Sequence, residues 1–311
     1  MADSRLSTVE QLSSIWRLGG LTFGQLAKRV YDGISDNNLL GSAAALAYNF
    51  VLALFPLLIF LLSVLGLFAS RGTALREQLV SYFSSVLPPA AATVINHTLN
   101  EVMRNASNGK VTFGIVLTIW FASGGMTSMI SALNGVYEVR ESRFFIKVRV
   151  IAFMLTVAIS VLVVLALLAV LTGGRVVNVI GNYYGLRDAA ILIWKVGQFV
   201  VAITFIAFSF SLIYYFGPDV QEQHWYWITP GSLVGVLLWV AASFGFRVYL
   251  HFFNSYGKTY GSLGAVMILL IWLYVTGFSF LIGGEINAKI EHAAAHRGHP
   301  EAKAPGEKKA A

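Results

Sequence analysis

Glu285 is the ionisable residue of this chain with the most chemistry open to it. It lies in Gly283-Gly284-Glu285-Ile286-Asn287-Ala288-Lys289, close to the end of a long apolar run. A carboxylate there either pairs with Lys289, four residues on in the favourable Glu-before-Lys order, or faces a cavity made possible by close packing at the two glycines. Arg247 stands well inside another apolar run, where a guanidinium either meets a lipid phosphate or solute anion or extends past His251 to the headgroups. Asn49, Asn134 and Asn287 bring amides into otherwise apolar segments, as Tyr48 brings a phenol. Hydrogen bonding between helices is the ordinary use of such groups, and substrate contact is the other. Pro56 has no amide hydrogen and displaces the carbonyl four residues back, that of Leu52, freeing an acceptor at mid-membrane depth. Asn49, Pro56, Asn134, Arg247, Glu285 and Asn287 are thus the candidates for a polar substrate path.

The residues of enzymatic catalysis are not assembled in the sequence. It has no GxSxG, HExxH, Walker loop or dinucleotide fingerprint, and with no cysteine it has no thiolate nucleophile or thiolate zinc site. His292, His296 and His299 follow the last apolar run with Arg297 among them, a setting for weak adventitious metal binding only. His97, alone in a polar stretch, reads as structural, and Lys195 as a lysine reaching the headgroups. The expectation is a protein that is not an enzyme and carries no cofactor or resident metal.

The elements that would position these residues are membrane spans. The 311 residues are 57% hydrophobic and 12% charged, with a mean hydropathy of +0.70, against roughly 25% charged in an ordinary soluble chain. Long apolar runs place spans at about 41–67, 111–137, 148–172, 189–216, 229–253 and 262–290. In the first, Ser42, Asn49, Pro56 and Ser63 recur every seven residues and define a face expected to look inward. The second is rich in small residues and belongs to the bundle interior; the third, apolar nearly all round, faces lipid. Residues 1–38 read as a cytoplasmic amphipathic helix at the interface, 39–290 as the six-span domain with an exterior helical hairpin at about 72–107, and 291–311 as a disordered cytoplasmic tail. The first span doubles as the targeting signal, since no cleavable leader is visible. Thirteen Lys and Arg fall on the side of the termini and seven on the other, which puts both termini in the cytoplasm. The weak point is the loop after Pro218, which has no basic residue. The fold class is all-α, a polytopic membrane bundle of six transmembrane helices with interfacial amphipathic helices.

Several separated pieces resemble the YihY/virulence factor BrkB family of bacterial inner-membrane proteins, formerly labelled ribonuclease BN. They are Ala45 to Tyr48 with Phe55-Pro56; Trp120, Ala132-Leu133-Asn134 and Tyr137 with Glu141 and Arg143; Tyr214 and Pro218; Pro230-Gly231 and Trp239; Tyr260 to Ala265; Trp272-Leu273-Tyr274; and Gly283 to Ala288. The chain departs from the family pattern at Gly284, where alanine is usual, and after Pro218, where basic residues are usual. The resemblance implies six spans in a bacterial cytoplasmic membrane. The ribonuclease label finds no acidic metal cluster and no aromatic-basic nucleic-acid face in the sequence. Two expectations follow: a transporter or flippase-like protein for a lipid or amphiphile, partnered by membrane lipids and not nucleic acid, or a non-catalytic structural or assembly protein of the envelope, with a protein partner or as a homo-oligomer.

Overall fold

The computed structural model describes residues 16–69, 81, 109–184, 187–220, 229–252, 262–297 and 305–306. Among them every regular element is helical: a 3-10 turn at Leu18–Gly20, then α1 (Phe23–Asp36), α2 (Leu39–Ala69), α3 (Gly109–Val136), α4 (Phe145–Tyr184), α5 (Arg187–Phe216), α6 (Pro230–Phe252) and α7 (Ser262–His296). Helices α2 to α7 fall in order on the six predicted spans. By length and composition, Phe145–Ala166, Pro230–Tyr249 and Val266–His296 can each cross a membrane. Phe23–Asp36 and Leu39–Leu54 add a fourth if this pair, bent by 64°, is one span. The predicted exterior hairpin lies outside the described residues.

The chain divides into two compact units. The first gathers Met1–Val51, Gly125–Ala152 and Ile206–Ala311, the second Leu52–Gly124 and Phe153–Phe205. In the second unit the buried positions on α3 are Ile119, Ala122 and Ser123, and those on α4 are Leu155, Thr156, Ser160 and Val164. The α4 set recurs at helical spacing, while Met154, Val161, Val163 and Leu165 are exposed. Thus α4 packs one stripe and leaves the other apolar side for lipid.

The first unit contains α6 and α7 whole and one end of each of α2 to α5. Helices α2 and α4 begin there, and α3 and α5 finish there. Helix α1 is started by a capping box, in which Thr22 Oγ1 accepts from the Gln25 amide at 3.3 Å and Gln25 Oε1 from the Thr22 amide at 3.1 Å. It ends at Asn37-Asn38, with Asn38 in the left-handed region at φ 47°. Its buried residues, Leu26 and Gly33, lie on the side that packs on α7, while Phe23 and Tyr31 remain exposed. The helix is amphipathic as expected, but its packed face meets protein.

Two further expectations are corrected. On α2 the packed positions are Leu39, Ala43, Leu46, Ala47 and Ala53, whereas Ser42, Asn49 and Pro56 are half-exposed. Close packing selected the small and aliphatic face, where Gly277 of α7 comes against Leu46 and the Ala43 carbonyl. At the other end, α7 does not stop near Ile290. It continues to His296 with His292, Ala293 and Ala294 buried, because Gly19 comes against the Ile290 carbonyl and Gly20 against Arg297.

Candidate functional site

Glu285 is completely buried. Asn37, at the break between α1 and α2, donates its side-chain amide to both carboxylate oxygens at 3.1 and 3.0 Å. Lys289, one turn further along α7, places Nζ 3.1 Å from Glu285 Oε1 and 3.1 Å from Glu138 Oε1. Gly33 makes this possible: a Cβ there would collide with the Glu285 carboxylate. Glu138 follows α3 with φ 57°, a backbone conformation that non-glycine residues seldom adopt. The chain is thereby turned so that its carboxylate reaches Lys289.

A second cluster joins the α3–α4 and α5–α6 connections. The buried Asn134 donates to Glu141 Oε2 at 2.8 Å and accepts the Asp219 backbone amide at 2.7 Å. Arg143 grips Glu141 with two N–H groups, at 2.8 and 2.7 Å, and donates to the Gly217 carbonyl at 2.8 Å. Its Nε also lies 3.5 Å from Asp219 Oδ1. Asp219 Oδ2 accepts the Ser142 amide at 2.8 Å and its hydroxyl at 2.7 Å. For Glu141, burial raises the pKa, but hydrogen bonds from the Arg143 side chain and backbone and from Asn134 more than offset it, and the carboxyl is held below its usual range.

Between the clusters runs a close helix crossing. Gly231 of α6 and Gly283 of α7 meet backbone to backbone, with the Tyr214 hydroxyl beside Gly283. That hydroxyl donates to the Phe280 carbonyl at 2.6 Å, and the Tyr214 ring stacks on Phe280 with centroids 4.9 Å apart. Asn287 Oδ1 accepts the Gly231 amide at 2.9 Å, and its Nδ2 donates to Thr229 Oγ1 at 2.9 Å. Helices that approach this closely need small residues at the contact and polar side chains to take up free backbone groups.

Of the six sequence candidates, the fold brings Glu285, Asn134 and Asn287 to this one end. Asn49 is apart from them, its amide donating to the Ala45 carbonyl of its own helix at 2.8 Å. Pro56 sits half-exposed within the uninterrupted α2, and Arg247 is exposed on α6. Glu285 takes the ion-pair arrangement with Lys289, and its surroundings are filled by Asn37 and Gly33. The partners that sequence reading missed are Asn37, Glu138, Ser142, Asp219 and Thr229. All lie in the connections between helices, where polar residues are ordinary and only their distant partners single them out. Asp219, at the entry to the loop that has no basic residue, is tied to the connection 137–144 through Ser142 and Arg143, while residues 221–228 lie outside the described residues.

Comparison with known proteins places these features. The family model described as virulence factor BrkB matches residues 30–307. The chain is 30% identical over 246 residues to the putative ribonuclease-like protein YfkH of Bacillus subtilis, covering 79% of this chain and 88% of that one. It is 28% identical over 270 residues to a UPF0761 membrane protein of Xanthomonas oryzae, covering 86% and 60%. A UPF0761 membrane protein of Rhodospirillum centenum is 28% identical over 260 residues, covering 82% and 55%. The chain therefore spans little more than half the length of these last two relatives. No solved structure matches it.

Proposed function

We propose a function from one premise: this chain belongs to the virulence factor BrkB family, and it is a helical membrane protein. On our reading it crosses a bacterial cytoplasmic membrane six times with both termini in the cytoplasm. It moves a lipid or amphiphile between leaflets, and the polar network is its closed cytoplasmic end.

The observation that carries this reading is the fully buried Glu285 held between Asn37 and Lys289. A buried ion pair is seldom the cheapest way to fix a helix, since apolar residues of similar volume often serve equally well or better. Its value lies in specifying one arrangement that can be exchanged for another. Here the pair and Glu138 tie α1, the α3–α4 connection and α7, the elements that would have to part for that end to open. The basic residues Arg140, Arg143, Lys147, Lys289 and Arg297 at that end support its assignment to the cytoplasm.

The proposal includes no enzymatic step and no nucleic-acid partner. Although one relative is named ribonuclease-like, Glu138, Glu141, Asp219 and Glu285 are here each engaged by a lysine, an arginine, an amide or a hydroxyl. Among the described residues no group of three His, Asp or Glu is placed to hold a metal ion. The second reading is a structural protein of the envelope, favoured by the mutual satisfaction of donors and acceptors in the network.

Reconstituted vesicles separate the two. A transporter moves a labelled anionic lipid faster than protein-free controls, loses this with Arg247→Ala or Asn49→Leu, and keeps it with the lipid-facing change Val161→Leu. Glu285→Gln, which loosens the closed end, raises the basal rate. No movement above controls, with or without an ion gradient, leaves the structural reading.

A further inference from the structure

A cleft of about 590 Å³ opens beside the second cluster, between the start of α4 and the end of α5. Its walls combine Ser142, Phe144, Lys147 and Ile151 from one side with Tyr215, Phe216 and Asp219 from the other. The carboxylate of Asp219 is already taken by Ser142 and Arg143. Among the described residues Lys147 has no acidic partner, and it is exposed. The cleft therefore offers one uncompensated cation at its mouth.

The order of residues along α4 sets the depth. Phe144, Lys147 and Ile151 follow the i, i+3, i+7 spacing of one helical face, so the ammonium lies about one turn, ~6 Å, nearer the helix start than the apolar floor at Ile151. Phe144 and Phe216 line it and are exposed, beside the half-buried Tyr215, and tyrosine is a residue of the headgroup level of a bilayer. Charge at headgroup depth, an apolar wall one turn deeper and an aromatic rim together match one chemical class.

We propose that this cleft binds a resident anionic phospholipid, with its phosphate on Lys147 and the top of an acyl chain against Ile151. A free phosphate would use the lysine but neither the apolar wall nor the aromatic rim. The site stands independently of lipid movement by the protein, because binding is measured without transport.

The test is native mass spectrometry of detergent-purified full-length protein with phosphatidylglycerol and phosphatidylcholine supplied together. The wild type retains phosphatidylglycerol preferentially, and Lys147→Glu lowers that retention about tenfold, the scale of one interfacial charge reversed. Lys28→Glu, an equal charge change on the exposed side of α1, leaves it unchanged. Ile151→Trp, which fills the deeper part of the cleft, lowers retention of both lipids. Equal losses from Lys147→Glu and Lys28→Glu would overturn the proposal, as would equal retention of the two lipids by the wild type. So would displacement of the lipid by millimolar inorganic phosphate, which would mark a site for the free anion. Unchanged thermal unfolding of each variant shows that a loss is not misfolding.

Discussion

Asn37 holds both carboxylate oxygens of Glu285 with one amide group, across 248 positions of sequence. The contact fixes the bend between α1 and α2 to the last turns of α7, and it does so where no water reaches the carboxylate. Glu285→Ala leaves the Asn37 amide without its acceptor and Lys289 with Glu138 alone, and is expected to cost about 1–3 kcal/mol. Glu285→Gln keeps an acceptor for Asn37 and costs less. Unfolding midpoints in detergent should rank wild type, Gln and Ala in that order.

Gly33 gives the sharper test of the same contact. A glycine within an exposed helix usually gains roughly 0.5–1 kcal/mol on becoming alanine. At Gly33 the new methyl would overlap the Glu285 carboxylate, whereas at Gly24 of the same helix it would meet open space. Gly33→Ala should therefore destabilise and Gly24→Ala should not. A stabilised Gly33→Ala protein would show that α1 does not dock there.

What the sequence made legible, and what it did not, divides by range. The six long helices could be read because a run of apolar residues is a local signal, and the Glu285–Lys289 pair because both partners share one helix. Asn37, Asp219 and Ser142 could not, since nothing within ten residues of Asp219 announces a distant serine amide. The inward face of α2 was misread for a physical reason. The seven-residue spacing of Ser42, Asn49 and Pro56 marked polarity, but the bundle packs by size, and Ala43 with Leu46 fits against Gly277 more closely.

Asn134 links two connections through a single side chain, so replacement by leucine removes both a donor to Glu141 and an acceptor for the Asp219 amide. Glu141 keeps its two hydrogen bonds from Arg143, but the buried Asp219 amide left unpaired costs about 1–3 kcal/mol. Asn134→Asp should be worse than Asn134→Leu near neutral pH, because it sets a second carboxylate against Glu141. Unfolding of the two variants at pH 7 and again at pH 4 checks this, with the gap closing as the carboxylates protonate.

Glu141 predicts a direction with pH. Its pKa in the fold lies below that of the unfolded chain, about 4.3. The stability it contributes is therefore fully present above that unfolded value and is lost as pH falls through the lower, folded one. The advantage of wild type over Glu141→Gln should be flat from about pH 7 to pH 5 and shrink below about pH 4. A difference that grows on acidification would contradict the Arg143 and Asn134 contacts.

Orientation is the last matter open to direct test, and the absence of cysteine makes it clean. If the network end is cytoplasmic, the α3–α4 connection faces inward along with both termini. Cysteines introduced at Asn108 and Lys258, which lie outside the described residues, then face outward. A membrane-impermeant maleimide added to intact cells should label positions 108 and 258 and spare Arg140, Ser142 and Ala304. Arg140 is the more informative inner position: it is exposed, whereas Ser142 is engaged by Asp219 and could escape labelling for that reason alone. After the membrane is permeabilised, a cysteine at 140 should react fully. Labelling at 140 in intact cells, with 108 and 258 protected, would invert the protein and move the ion-pair network to the exterior face, where a cytoplasmic gate has no place.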